Sequence, residues 1–252
     1  MRICTKVYAA WAIFSVIGLG SGCSHYYLPA NHLETPEVSG PDRVGRLEIL
    51  SFQSGTDLIS PAQLTTPAPT SSTAPVAVLQ EVTPSYTFGF DVATTESLDL
   101  GVKVGVDVPL TIVGKYQVYG APESRAQARN LSAAVMISPG VLNSNGVLYY
   151  LVDAAVPVGY RIWQNHLLSL TPFFSFGGIS GVSIPAVPSP SGSGVSSPAT
   201  TSATFDQYGI ALGYQYTLLA IHLRGELSYL GGAMQTAQIG GFYAGASLGF
   251  NL

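Results

Sequence analysis

The sequence predicts an all-β fold, an antiparallel up-and-down β-barrel of about ten strands, within a range of roughly 8–12. Apolar residues alternate with small or polar ones along most of the chain, which is the period of two typical of half-buried strands. Hydrophobic types make up 47% of the 252 residues and charged types only 10%, against about a quarter in a typical soluble domain. After the N-terminal region, no uncharged apolar run approaches the ~20 residues that a membrane-spanning helix needs.

The same composition excludes other classes of protein. With 10 Lys and Arg against 14 Asp and Glu, the chain has a formal net charge of −4, so it lacks the basic surface on which nucleic-acid binding depends. Its low charge also argues against an intrinsically disordered chain. We therefore expect no nucleic-acid partner.

The region before Cys23 predicts a secretory signal peptide over residues 1–22. Arg2 and Lys6 give a positive start, residues 7–19 form an uncharged and mostly apolar core, and small residues precede the cysteine. This succession is typical of an export signal and is too short for a permanent membrane span. Its removal leaves Cys23 as the one cysteine, so no internal disulfide or cysteine metal site is expected.

The segment Leu19-Gly20-Ser21-Gly22-Cys23 resembles a bacterial lipoprotein signal. The resemblance implies that Cys23 is diacylated and becomes the mature N-terminus. Ser24, which follows it, resembles the pattern that is sorted to the outer membrane. An ordinary cleavage site beside an incidental cysteine is the alternative.

Residues 23–43 predict a lipidated tether between the membrane and the folded domain. The segment is polar and contains Pro29 and Pro36, a composition that favours an extended chain. We expect its two histidines, His25 and His32, to be solvated.

The barrel domain is predicted over residues 44–252. Strand-like alternation occurs there in ten segments: 46–53, 84–92, 98–108, 111–119, 131–138, 147–161, 167–177, 207–218, 221–229 and 242–252. In the clearest of these, Leu100 and Val102 share one face while Asp99 and Lys103 share the other. In chain order, the apolar faces of six of these segments carry Tyr86, Phe88, Phe90 and Val92; Leu98, Leu100, Val102, Val104, Val106 and Val108; Ile112, Tyr116 and Val118, in a weaker segment; Tyr208, Ile210, Leu212, Tyr214, Tyr216 and Leu218; Ile221, Leu223, Leu227 and Tyr229; and Phe242, Ala244, Ala246, Leu248, Phe250 and Leu252.

The charged residues indicate which face of the strands meets lipid. The face opposite the apolar one is dominated by Gly, Ala, Ser and Thr and also carries the charges. Because a lipid-facing charge near the bilayer midplane costs about 2–4 kcal/mol, this segregation predicts a transmembrane barrel with the charges inside. The predicted lumen charged cluster is Asp91, Asp99, Lys103, Asp107, Lys115, His222, Arg224 and Glu226. Its mixed signs predict mutual neutralisation in a lumen filled by side chains.

The lengths of the connections predict two different ends of the barrel. Stretches rich in Ser, Thr, Pro and Gly near 55–82 and 179–204 are expected as mobile outer loops. Longer connections are also expected around 138–146 and 230–240, whereas a short link is expected at 94–97 on the inner side.

The pattern as a whole resembles bacterial outer-membrane β-barrels. Gly-rich alternating strands and tyrosines near strand ends carry the resemblance, and residues 242–252 resemble the signal that the barrel assembly machinery reads. The resemblance implies an outer-membrane location, contact with outer-membrane lipid and recognition by that machinery, with both termini on the periplasmic side. Tyr160 and Trp163, together with Arg161, are expected as membrane-interface anchors; a ligand-stacking aromatic is the alternative.

No motif predicts catalysis, a metal or a cofactor. Gly245-Ala246-Ser247-Leu248-Gly249 matches the G-x-S-x-G nucleophile elbow, which requires a strand-to-helix turn. Only three residues follow Gly249, so Ser247 is expected instead as a small lumen-facing side chain. The histidines are too scattered for a metal-ligand spacing, at His25, His32, His166 and His222.

The leading interpretation is a non-enzymatic outer-membrane barrel lipoprotein with a largely side-chain-filled lumen. Its role would be surface interaction or envelope structure, with an external partner that the sequence does not identify. A small-solute channel or transport barrel is the alternative, favoured if the interior charges line a continuous aqueous path. A lipid-anchored, lipocalin-like binder would turn the apolar faces inward, and an omptin-like protease would need acidic and His residues converging at the outer rim.

Overall fold

The computed structural model describes residues 27–57, 82–105, 108–144, 147–184, 199–234 and 237–252. All regular secondary structure in these ranges is β, with the following strands: β1 (Tyr27–Pro29), β2 (Gly45–Asp57), β3 (Val82–Ala93), β4 (Leu98–Gly105), β5 (Leu110–Tyr119), β6 (Leu131–Ser144), β7 (Val147–Ala155), β8 (Val158–Trp163), β9 (His166–Ile184), β10 (Ala199–Leu218), β11 (Ile221–Met234) and β12 (Ala237–Asn251). Within the same ranges, no helix has the length and apolar character that crossing a membrane requires. The predicted signal peptide and Cys23 lie outside the described residues.

The sheet closes into a barrel with ten strand positions. β2 pairs with both β3 and β12, which closes the cycle. β7 and β8 occupy one position, since each lies between β6 and β9, and Pro157 separates them because it has no backbone N–H to donate. Among the described strands, β1 pairs with β2 alone and is not one of the ten strand positions of the barrel wall. The predicted antiparallel all-β barrel is therefore confirmed.

Several strands extend further than the sequence predicts. The longer connection expected around 138–146 is wrong, because β6 stays paired with β7 up to Ser144 and Val147. Pro139 is tolerated inside β6 because it lies where the partner positions on β5 are interrupted, between Ile137 and Gly140. Pro139 and Gly140 thus suggest a turn in the sequence, but the pairing of β6 with β7 continues through both residues.

The same correction applies at the next hairpin. The connection expected around 230–240 is also wrong, since β11 and β12 stay paired up to Met234 and Ala237. Of the expected mobile loops, residues 58–81 and 185–198 lie outside the described residues. The rest of the prediction is wrong, because residues 55–57 belong to β2, Val82 to β3, residues 179–184 to β9 and residues 199–204 to β10.

The two ends of the barrel differ in their connections. One end, here called the C-terminal end, holds Leu252, the turns at 94–97, 164–165 and 219–220, and the connection 120–130. The other, here called the loop end, holds the strand ends that flank residues 58–81, 106–109, 145–146, 185–198 and 235–236.

Apolar side chains face outward from the barrel wall. Ile112, Tyr208 and Phe242 are 58%, 60% and 68% exposed, whereas the inward-facing Lys115 and Gln207 are each 1% exposed. The predicted orientation of the apolar face is confirmed at these positions.

Val108 departs from this pattern, because it is only 7% exposed. The alternation predicts one strand over residues 98–108, but β4 ends at Gly105. Val108 therefore lies in the connection and packs inward.

Part of the lumen is apolar, which the alternation does not predict. Tyr149, Phe173 and Phe205 belong to a buried apolar cluster, with the rings of Tyr149 and Phe205 edge-on at 6.0 Å. Glycines on the neighbouring strands make room for these rings. A Cβ at Gly177 would lie 2.5 Å from the Phe205 ring, and one at Gly209 would lie 2.7 Å from the Phe173 ring.

Residues 28–40 pass through the lumen from one end to the other. At the loop end, Tyr27 pairs with Asp57, the last residue of β2. At the C-terminal end, the Ser124 N–H donates to the Ser39 carbonyl at 3.2 Å, and Gly40 turns the chain with a φ of 85°. We call residues 28–40 the lumen segment.

The lumen segment corrects the prediction of a solvated tether. Every residue of it except Pro29 is buried, and His32, predicted in solvent, is 8% exposed. A polar, proline-containing composition suits water and a polar cavity equally well, so composition does not separate the two environments. His25 lies outside the described residues.

Candidate functional site: the occupied lumen

The lumen segment is bound to the barrel wall along its whole length, beginning near the loop end with Asn31. Its Oδ1 accepts hydrogen bonds from the Ser54 N–H and hydroxyl, both at 3.2 Å. Its Nδ2 donates to Ser228 Oγ at 3.0 Å. This amide therefore joins β2 to β11, the two strands on either side of β12.

The carboxylate of Glu226 holds the next two residues. The backbone N–H groups of His32 and Leu33 donate to its Oε1 and Oε2, each at 2.8 Å. Arg224 Nη1 donates to the Leu33 carbonyl at 2.9 Å. A hydrogen bond to a charged group contributes about 1.5–3 kcal/mol, so these two wall residues fix both the position and the direction of the segment.

Glu34 lies between two lysines of the wall. Its Oε1 is 2.6 Å from Lys103 Nζ and its Oε2 is 3.1 Å from Lys115 Nζ. Glu34 and Lys115 are each 1% exposed at the side chain, and Lys103 is 16% exposed. The segment thus supplies the negative charge that these two buried cations require.

Glu37 makes the corresponding pair further along the segment. Arg161 Nε donates to its Oε1 at 3.2 Å, the Arg161 Nη2 contacts Oε2, and Asn130 Nδ2 donates to Oε1 at 2.9 Å. The guanidinium of Arg46 binds the Glu37 carbonyl and donates to Thr35 Oγ1 at 3.2 Å.

The last residues of the segment are held by β4 and β5. The Val38 N–H donates to Gln117 Oε1 at 2.9 Å. The Ser39 N–H and hydroxyl donate to Asp99 Oδ2 at 2.8 and 3.1 Å. Asp99 is 2% exposed, so these two hydrogen bonds hold the end of the segment against a buried part of the wall.

Glu123, in the connection 120–130, closes the C-terminal end of the lumen. Its carboxylate lies 3.2 Å from Arg43 Nη1 and 3.1 Å from Arg46 Nη2. Asn251 Nδ2 also donates to it at 3.2 Å. Burial alone would raise the pKa of Glu123, but the guanidinium groups, Arg46 first and then Arg43, outweigh burial and hold that pKa well below its ordinary value.

A serine, a histidine and an aspartate meet at mid-lumen without the geometry of a nucleophilic triad. His32 Nε2 lies 3.0 Å from Asp153 Oδ1, and the Ser175 hydroxyl donates to the same oxygen at 2.5 Å. In a triad the serine would bond to the histidine. Here both side chains bond to the aspartate, so the histidine is not placed to accept the proton of the serine.

A small cavity adjoins the lumen segment at this level. It has a volume of about 60 Å³, and His32, Lys103, Asp153 and Ser138 are among the residues lining it. One buried water occupies on the order of 10–15 Å³ by this measure, so the cavity has room for a few waters only.

Seven of the residues predicted for the lumen charged cluster lie in the described part of the chain and face the lumen, five of them buried and the other two, Asp91 and Lys103, beside Glu34: Asp91, Asp99, Lys103, Lys115, His222, Arg224 and Glu226. Asp107 lies outside it. Their charges were predicted to neutralise each other. Instead, Lys103 and Lys115 share Glu34, and Glu226 binds the backbone of the segment.

The prediction that Arg161 contributes to a membrane-interface anchor is wrong. Tyr160 and Trp163 are 44% and 63% exposed, as an outward position requires, but Arg161 is 2% exposed and points into the lumen. The period of two already places Arg161 opposite Tyr160, so the sequence held this signal. Whether the two aromatic residues act as interface anchors stays a prediction.

Other residues of the site were missed because their partners are remote in sequence. Glu34 and Glu37 lie in a segment assigned to solvent, and Glu123 lies in a connection. Alternation along strands carries no signal for such positions. Ser247, by contrast, lies within β12 and is 6% exposed on the inner face, as expected.

Comparison with protein-family models, with curated proteins and with solved structures found no match to this chain. Among the described residues, no group of three or more His, Cys, Asp and Glu side chains is arranged to hold a metal ion.

Proposed function

We propose that this chain is a non-enzymatic outer-membrane β-barrel lipoprotein whose lumen is closed by its own N-terminal segment, with a surface-interaction or envelope-structural role. Outer-membrane lipid surrounds the wall, and the barrel assembly machinery reads residues 242–252. The C-terminus lies on the periplasmic side, and the connections of the loop end face the environment. The external partner is unidentified.

The exposed apolar wall supports a location in lipid. Large apolar side chains occupy the outward positions of successive strands, among them Leu100, Ile112, Leu212 and Leu223, which are 46–58% exposed. Soluble monomers rarely expose a contiguous apolar patch larger than about 300–600 Å². The same wall argues against a lipocalin-like binder, because its inner face carries buried ions such as Lys115.

The lumen segment is the observation that favours a closed barrel over a channel. A channel would need its interior charges along a continuous aqueous path, whereas Lys115, Asp99 and Glu226 are bonded to the lumen segment. Glu123 further obstructs the C-terminal end. Contacts of this kind among the described residues favour a structural or surface role over solute transport.

Two measurements test this proposal. The full-length protein should fractionate with outer membranes and should migrate differently in gels before and after heating, because folded barrels resist unheated detergent. In planar bilayers it should give no unitary conductance steps. Recovery as a soluble protein after removal of residues 1–23 contradicts the membrane location, and reproducible unitary steps favour the channel.

A further inference from the structure

The described chain begins at the loop end of the barrel. Tyr27, Leu28 and Pro29 pair with Asp57, Thr56 and Gly55, the last residues of β2 before the connection 58–81. The C-terminus lies at the opposite end, where the Val44 N–H donates to the Leu252 carbonyl at 2.8 Å and the Leu252 N–H donates to the Gly45 carbonyl at 2.9 Å. Tyr27 and Leu252 are therefore separated by the length of β2.

Contacts at successive levels fix the path between the two ends. From the loop end downward, the wall residues that bind the segment are Gln207 at Pro29, Glu226 at Leu33, Lys115 at Glu34, Arg161 at Glu37 and Asp99 at Ser39. Each wall residue meets its partner only if that partner lies at the right height in the lumen. A reversed segment would lose these bonds, so the contacts define its direction.

The remaining chain before Tyr27 is too short to return to the C-terminal end. Cys23 precedes Tyr27 by four residues, which span at most about 14 Å when fully extended. β2 has 13 residues, and at about 3.3 Å per residue it is roughly 40 Å long. Even with the strand tilt of ~40° that barrels have, the C-terminal end lies beyond the reach of Cys23.

We infer that the mature N-terminus is carried through the lumen of its own barrel and leaves at the outer face of the membrane, where the acyl chains on Cys23 enter the outer leaflet. This inference rests on the proposed outer-membrane lipoprotein function. It differs from the sequence expectation that both termini lie on the periplasmic side. The lumen segment then joins an external lipid anchor to the barrel wall.

Surface labelling of intact cells tests the inference. One variant carries an epitope inserted after Ser24, and a matched control carries the same epitope in the turn 94–97, at the C-terminal end. We expect the first epitope to bind antibody on intact cells and the second only after the outer membrane is permeabilised. Labelling of the first epitope only after permeabilisation overturns the inference.

A cysteine pair tests the threading without an inserted epitope. Leu28→Cys with Thr56→Cys joins paired positions of β1 and β2, whereas Leu28→Cys with Glu96→Cys joins opposite ends of the barrel. Oxidation should cross-link the first pair and leave the second unlinked. Absence of the first cross-link in a heat-modifiable, correctly localised barrel overturns the threading.

Fractionation of the same strains separates the two proposals. If the protein is absent from the outer membrane, the proposed function itself fails. If it is present there and shifts on heating, an inaccessible epitope after Ser24 counts against the threaded N-terminus alone.

Discussion

Arg161 of the barrel wall and Glu37 of the lumen segment form a buried ion pair, with side chains 3% and 0% exposed. The pair joins β8 to a segment 124 residues earlier in the chain. Asn130 adds a third group at 2.9 Å from the same carboxylate. The segment is thus an integral part of the folded barrel, because its removal would leave a guanidinium buried in the lumen without its anion.

Neutralising Glu37 should destabilise the barrel strongly. Breaking a buried ion pair by removing one partner costs about 3–5 kcal/mol, since the remaining charge is left without compensation. We therefore expect Glu37→Gln to lower the free energy of unfolding by this amount, measured by urea unfolding in lipid vesicles. The matched control is Glu96→Gln, whose partner Arg125 is itself 51% exposed and whose pair is screened by solvent; its effect should stay below about 1 kcal/mol. Equal effects of the two variants would contradict a buried role for Glu37.

Reversing the charge of Glu34 should open the lumen. Glu34→Lys places a third ammonium group beside Lys103 and Lys115, which now share the carboxylate at 2.6 and 3.1 Å, so repulsion should drive the lumen segment out. We expect unitary conductance steps in planar bilayers from this variant and from a deletion of residues 28–40, whereas the unaltered protein stays silent.

The control for this experiment is Glu96→Lys, which makes the same charge change at an exposed position. It should remain silent. Heat-modifiable gel migration must show that each variant is folded. Silence of both lumen variants in folded form would mean that the segment does not close the pore.

The strands could be predicted from the sequence because each carries its evidence locally. The alternation of Leu100 and Val102 with Asp99 and Lys103 follows directly from the geometry of a strand, and the lumen-facing position of these charges follows from the cost of a charge in lipid. The break between β7 and β8 at Pro157 did not alter the strand count, because both halves keep the same neighbours.

The occupant of the lumen could not be predicted in the same way. Glu34 and Glu37 find their partners far away in sequence, at Lys115 and Arg161, and nothing in the local pattern distinguishes a polar segment in water from one in a polar lumen. The inward position of the aromatic residues also depends on a partner on another strand. Phe205 fits in the lumen because Gly177 of β9, which faces it, has no side chain.

A charged residue on the outer face should destabilise the barrel strongly in the middle of a strand and only weakly near its end. Leu212 and Leu218 are both on the outer face of β10, 56% and 51% exposed, and Leu218 is its last residue. We expect Leu212→Arg to lower the free energy of unfolding in lipid vesicles by about 2–4 kcal/mol and Leu218→Arg by about 0–1 kcal/mol. The two variants control for each other, since they make the same substitution on one strand. Equal costs would contradict a bilayer around this face.

Stability at acid pH should depend on Glu123. Its carboxylate is buried among Arg43, Arg46 and Asn251, and its pKa in the folded state is well below the ordinary value. The unfolded state therefore takes up the proton first, near pH 4.3, and the stability that the carboxylate contributes is fully present above that pH. It is lost progressively as the pH falls from about 4.3 towards the lower pKa of the folded state.

Glu123→Gln isolates this contribution, because every other carboxylate of the lumen is present in both proteins. The unaltered protein should be more stable than Glu123→Gln at pH 7, and the difference in their free energies of unfolding should narrow as the pH is lowered from 4 to 2. A Glu96→Gln control should show a small difference at every pH, because its charge is exposed to solvent. A difference for Glu123→Gln that persists unchanged at pH 2 would mean that it does not come from the charge of the carboxylate, and that the connection 120–130 closes the barrel by shape and not by charge.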